Sequence, residues 1–227
     1  MPRPWSELLS PEDALPFLQE RIAAAPFPVE LLPAPEGAGA RALEALQIST
    51  RSPLGTLAFH TGGLLVDHGW LRVLGAGCPR LPRALDTWNG LGGERRCAEG
   101  LLVGDDALGG FFAWFQEPRT VHYLAPDTAE WMDTGLGHGQ WLAWCLTERF
   151  TEFCCELRWE GWQAEVEAVP ADRGLLVLPP LWSGGPALSQ RSRKAVPVEE
   201  LWDLAVETER KLRGMPDGTR VALRAEH

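Results

Sequence analysis

Apolar residues recur along the chain at two spacings, and the switches between them mark out its elements. Leu15, Leu18 and Ile22 fall at i, i+3 and i+7, one face of a helix. Just upstream, Ser10-Pro11-Glu12-Asp13 offers an N-cap, a proline suited to the first helical position, and acidic side chains where the helix dipole favours them. This predicts an N-terminal helix over about 11–24. The stretch from Pro26 to Gly39 carries Pro28, Pro33, Pro35 and Gly37 and reads either as an extended connector with a short strand at Val29 to Leu32 or as a linker.

The middle of the chain reads as strands and turns. Thr56 to His60, Leu64 to Val66 and Trp70 to Leu74 are short apolar runs, the first two separated by a Gly62-Gly63 turn. Cys78-Pro79-Arg80-Leu81-Pro82-Arg83 interrupts them, and Leu85, Trp88 and Asn89 suggest a short helix closed by Gly90. Leu101 to Val103 and Phe111 to Phe115 form a second pair around an Asp105-to-Gly110 turn, followed by a strand at Val121 to Leu124.

From Trp141 to Leu157 the period lengthens: Leu142, Leu146, Phe150, Phe153, Cys154 and Leu157 recur at helical spacing, with Thr147-Glu148 offering a second helix start. Leu175 to Leu178 reads as a last buried strand stopped by Pro179-Pro180. Pro197 opens a C-terminal helix over about 197–213, with Leu201, Leu204, Ala205, Thr208 and Leu212 on one face and Gly214 at its end. Strands grouped between terminal helices predict a single α+β domain over 1–227, its central, mainly antiparallel sheet flanked by helices.

Composition narrows the partners more than the fold. Hydrophobic residues at 45% and charged residues at 23% are those of a folding globular chain. Lys and Arg number 21 against 31 Asp and Glu, a formal net charge of -10, so nucleic acid and anionic membranes are disfavoured and a partner with a basic surface is favoured. Arg95-Arg96 and Arg191, Arg193 and Lys194 read as solvated loop charge. The first residues lack the pattern of a signal peptide and no apolar run approaches about 18 residues, which predicts a cytoplasmic protein. Five cysteines without a C-x-x-C pair fit reduced thiols, with packing the expected role of the adjacent Cys154 and Cys155.

No G-x-S-x-G, H-E-x-x-H, P-loop or EF-hand pattern is present. The best candidate constellation is Asp67-His68 with Asp105-Asp106, carboxylates and an imidazole at strand ends, of the donor types that hold divalent cations. Against it, Asp in turns caps backbone N–H groups, and neighbours on a strand point to opposite faces. His60, His122, His138 and the terminal His227 have no partner spacing and default to structural or surface roles. Eleven tryptophans stand against one tyrosine, and Trp114, Trp131, Trp141, Trp159 and Trp162 sit beside apolar faces, where packing is the expected role. Arg51, Arg72, Asp67 and Asp105 serve no apolar face, which predicts an Arg-carboxylate pair at a strand end, Arg72 or Arg51 with Asp67 or Asp105.

The runs Thr50 to Gly55, Gly62 to Gly75, Arg80-Leu81-Pro82-Arg83, Leu101 to Asp106, Gly109 to Ala113, Tyr123 to Thr128, Leu157-Arg158-Trp159 and Pro179 to Trp182 together resemble a family of uncharacterised bacterial proteins classed as a domain of unknown function. The order Leu81, Pro82, Trp88, Asn89, Gly90, then Val121, Tyr123, Asp127, Thr128, Trp131, is similar to that of the SUKH superfamily, with Gln163 to Ser192 extending past its usual core. That likeness implies a SUKH-like fold and a non-catalytic, protein-binding module of the immunity type, needing no cofactor. Arg51, Asp67, His68, Arg72, Asp105 and Asp106 are then binding residues, with a metal-assisted or small-ligand enzyme using Asp67, His68, Asp105 and Asp106 as the alternative.

Overall fold

Strands β1 (Val29–Pro33), β2 (Thr61–Val66), β3 (Leu71–Leu74), β4 (Gly100–Asp106), β5 (Phe111–Phe115), β6 (Val121–Leu124) and β7 (Trp131–Asp133) pair in chain order as a seven-stranded antiparallel sheet. This computed structural model describes residues 2–98, 100–215 and 219; His227 lies outside them. No helix among them is long and apolar enough to cross a membrane. Between β2 and β3 the chain reverses at His68-Gly69, both with positive φ (60° and 81°), as the tight primed hairpin turns require.

The Gly62-Gly63 pair, expected to turn the chain, lies inside β2. A Cβ on Gly63 would sit 2.6 Å from both a Leu81 methyl and the Val73 carbonyl oxygen, so these glycines serve close covering of the sheet rather than reversal. Thr56 to His60 is also not a strand. It belongs to α3 (Pro53–His60), which starts at Ser52, whose Oγ accepts from the Gly55 N–H at 3.1 Å, with proline in the first turn.

Before α3 comes α2 (Ala38–Leu46), in a region expected to begin as connector. Its buried face is built from Ala38, Gly39, Ala42 and Leu43, and a Cβ on Gly39 would fall 2.0 Å from the Phe59 carbonyl oxygen. The two helices therefore pack backbone against backbone. The N-terminal helix α1 (Leu15–Ala23) begins later than its Ser-Pro signal, because Pro16 lacks an N–H and suits only the first turn, while Asp13 Oδ1 accepts from the Leu15 N–H at 2.8 Å.

After α4 (Leu85–Trp88) and the sheet, the expected 141–157 helix divides into α5 (His138–Trp144) and α6 (Glu148–Cys154), with a 3-10 turn at Cys155–Leu157. Thr147 makes the break: its Oγ1 donates back to the Trp144 carbonyl at 2.8 Å. Then follow α7 (Trp162–Glu167), a hairpin of β8 (Arg173–Leu178) and β9 (Ser192–Pro197), and α8 (Val198–Leu212). Arg193 and Lys194 thus lie on a strand, not in a loop, and Arg193 Nε donates to Glu165 Oε1 at 2.9 Å.

Register decides what each face carries. Glu30, Leu65, Arg72, Asp105, Phe111 and Leu124 are successive cross-strand partners and share one face, while Leu64, Val73, Gly104, Phe112 and Tyr123 share the other. Phe111 meets Trp202 of α8 with ring centroids 5.0 Å apart, and Phe112 meets Trp141 of α5 at 5.4 Å. Both faces are therefore covered, and one buried apolar cluster runs from Leu18 to Trp202. The class is α+β, with a seven-stranded antiparallel sheet and eight α-helices among the described residues.

Candidate functional site

Arg72 on β3 is the cross-strand partner of Asp105 on β4, and its Nη1 donates to Asp105 Oδ1 at 2.9 Å. The expected Arg-carboxylate pair therefore forms, with only 1% of either residue exposed. Arg83 joins from the Cys78-to-Arg83 segment, which a Cys78–Leu81 bridge folds back on itself. Its Nη1 bonds Asp105 Oδ2, and its Nη2 donates to the Ala171 carbonyl at 2.8 Å. Burial holds the Arg72 guanidinium below its usual pKa; Asp105 opposes that shift and the neighbouring Arg83 adds to it. Arg72 Nη2 and Arg83 Nε are buried with no hydrogen-bond partner.

Arg72 also contributes to the floor of a cleft of about 650 Å³. Its lining includes Glu30, Leu65, the His68-Gly69 turn, Arg80 and residues 166–172, which run from the last turn of α7 onward. His68 Nδ1 pairs with Glu167, Arg80 pairs with Glu30, and the exposed Asp172 lies on the same lining. Two guanidinium groups are thus buried on one carboxylate, and Glu30, Glu167 and Asp172 stand nearer the surface with Arg80 and His68.

The other expected site residues go elsewhere. Asp67 accepts from Arg158 Nη2 at 2.6 Å, and that guanidinium lies over Trp162 (4.2 Å) and Trp70 (5.0 Å). Asp106 leaves β4 on the face opposite Asp105, where it accepts from Tyr123 Oη at 2.5 Å and from the Leu108 and Gly110 N–H groups at 2.8 and 2.9 Å. Arg51 pairs with Glu12 at 2.9 Å, both largely exposed. His68 and Arg72 therefore line the cleft, with Asp105 bonded to Arg72, while Asp67, Asp106 and Arg51 do not join them. Among the described residues, no group of three or more His, Cys, Asp or Glu side chains is placed to hold a metal ion.

Arg80, Arg83, Arg158 and Glu167 were not singled out by the sequence reading of the site. Arg80 and Arg83 stand in a proline-rich run, but no spacing ties them to Asp105. His138 is a further surprise: it is buried, neither ring nitrogen has a partner, and desolvation pulls its pKa down to about 3. The tryptophans cluster as expected, Trp70 touching both Trp159 and Trp162.

The family described as "Protein of unknown function DUF2625" matches residues 5–201. YbfG, an uncharacterised protein of Escherichia coli (strain K12), is 34% identical over 208 residues, covering 89% of this chain and 95% of its own. An uncharacterised protein of Haemophilus influenzae is 30% identical over 205 residues, covering 85% and 89%. No solved structure gives a significant match.

Proposed function

The chain belongs to the DUF2625 family, and from that premise we propose that it is a non-catalytic protein-binding module whose recognition surface is the cleft above Arg72. The observation that carries this reading is Arg72 Nη2, a charged donor buried without a partner beneath a cleft of about 650 Å³. A buried donor of that kind is a liability in the free protein and an attachment point in a complex. Among the described residues the cleft lining has no Ser, Thr, Cys or Tyr to act as a nucleophile, and its His68 is engaged with Glu167. The net charge of -10 favours a basic partner, and the SUKH-like order of motifs makes a toxin the class of that partner.

The test is capture from the native host by the wild-type chain, by Asp172→Arg at the cleft, and by Glu20→Arg on α1 as a control. Wild type and Glu20→Arg are expected to retain the same basic protein, and Asp172→Arg to lose it. Equal retention by Asp172→Arg overturns the cleft as the surface. A toxin gene beside this one supports the immunity role; housekeeping neighbours count against it.

A further inference from the structure

Resting on that reading of the cleft, we propose that it is a carboxylate-recognition site: Arg72 Nη2 takes a carboxylate oxygen, while Glu167 and Asp172 take a cationic group carried by the same ligand. The guanidinium is a planar fork with five N–H donors, and Asp105 occupies Nη1 while nothing occupies Nη2. Arg72 and Arg83 share the single carboxylate of Asp105 on this face, since Asp106 is turned to the other. A bound water satisfies a donor but leaves the charge; an anion answers both.

The rim selects among anions. A phosphate, with close to two charges at neutral pH, is repelled by Glu30, Glu167 and Asp172 more strongly than a carboxylate, which carries one. Those rim carboxylates, set against Arg80 and His68, in turn favour a ligand with its own positive group. A volume of about 650 Å³ admits a side chain of that kind, and the net charge of -10 favours a basic partner, so the ligand is an acidic side chain on a basic segment of the partner.

Calorimetric titration of the full chain tests this with matched probes. L-arginine is compared with agmatine, which keeps the guanidinium and lacks the carboxylate, and with inorganic phosphate. The capped peptide acetyl-Lys-Lys-Glu-Lys-Lys-amide is compared with its Gln counterpart. The expected result is that the Glu peptide binds about tenfold or more tightly than its Gln counterpart, a discrimination typical of a charge-assisted hydrogen bond, with phosphate weaker than the Glu peptide. Discrimination between L-arginine and agmatine without discrimination between the peptides makes the occupant a free amino acid and overturns the partner side chain. Glu167→Gln and Asp172→Asn are each expected to weaken the favoured probe. Because Arg72→Lys risks misfolding, the side-chain nitrogen resonances of Arg72 in the wild-type protein supply a second readout and are expected to shift with that probe. Equal binding within both pairs, or no binding of any probe, overturns the carboxylate site. If Asp172→Arg still abolishes partner capture in that case, the cleft remains the recognition surface and only the ligand chemistry is wrong.

Discussion

Arg72 and Asp105 face each other across β3 and β4 with Nη1 and Oδ1 2.9 Å apart, and Arg83 closes on the same carboxylate from outside the sheet. Removing that carboxylate leaves two buried guanidinium groups without the group that pairs both. Asp105→Ala is therefore expected to lower stability by about 3–5 kcal/mol in urea denaturation. Arg72→Ala leaves Asp105 still held by Arg83 and is expected to fall short of that. A loss under about 1 kcal/mol for Asp105→Ala contradicts a tightly coupled buried pair.

His138 sets a pH dependence of opposite origin. Its folded pKa is about 3, well below the ordinary value of 6.5, because burial disfavours the charged ring. The unfolded chain then binds a proton that the folded one refuses, so stability falls as pH drops from about 6.5 towards 3. His138→Met keeps an apolar side chain of similar size and removes the titration. Thermal melts at stepped pH are expected to show a shallower acid slope for the variant than for the wild type; parallel slopes contradict this.

On the opposite face, Tyr123 and Asp106 are joined at 2.5 Å, and burial followed by the Asp106 charge holds the phenol well above its usual pKa. Tyr123→Phe removes a hydrogen bond to a buried carboxylate and is expected to cost about 1.5–3 kcal/mol of stability. Gly110→Ala is expected to be worse, since its Cβ would stand 2.1 Å from Asp106 Oδ2 and 2.4 Å from Tyr123 Oη. Chemical denaturation of the two variants side by side checks the order, and a milder Gly110→Ala reverses it.

Arg158 tests whether charge alone suffices beside the tryptophans. It combines the Asp67 contact with faces of Trp70 and Trp162, a planar arrangement that an ammonium cannot reproduce. Arg158→Lys is expected to lose about 0.5–2 kcal/mol, with a change in tryptophan emission that Arg51→Lys at its exposed pair does not produce. Unchanged emission and stability in Arg158→Lys contradict a stacking role.

The strands β3 to β6 and the second half of β2 were legible as short apolar runs bounded by turn residues, and α8 by its apolar residues at helical spacing. Thr56 to His60 was misread since a short apolar run suits a strand and a buried helix equally, and only Ser52-Pro53 argues for the helix. α2 stayed hidden because its buried face uses small residues, and β9 because Ser192, Arg193 and Lys194 carry no apolar alternation. At the site, Arg72 and Asp105 were legible as a pair because charges inside apolar strands need partners. Arg83 and Arg158 were not, because both stand outside the strands, where no apolar run demands a partner for a charge, and they reach Asp105 and Asp67 only through tertiary packing.

The central claim, that the cleft above Arg72 is the recognition surface, is tested most directly by hydrogen exchange on the complex with the captured partner. The account predicts new protection in 166–172, in the His68-to-Arg72 turn and strand, and around Arg80, which together enclose the cleft. Protection confined to the apolar groove between β8 and α8, around Leu176, Leu181 and Leu204, contradicts it.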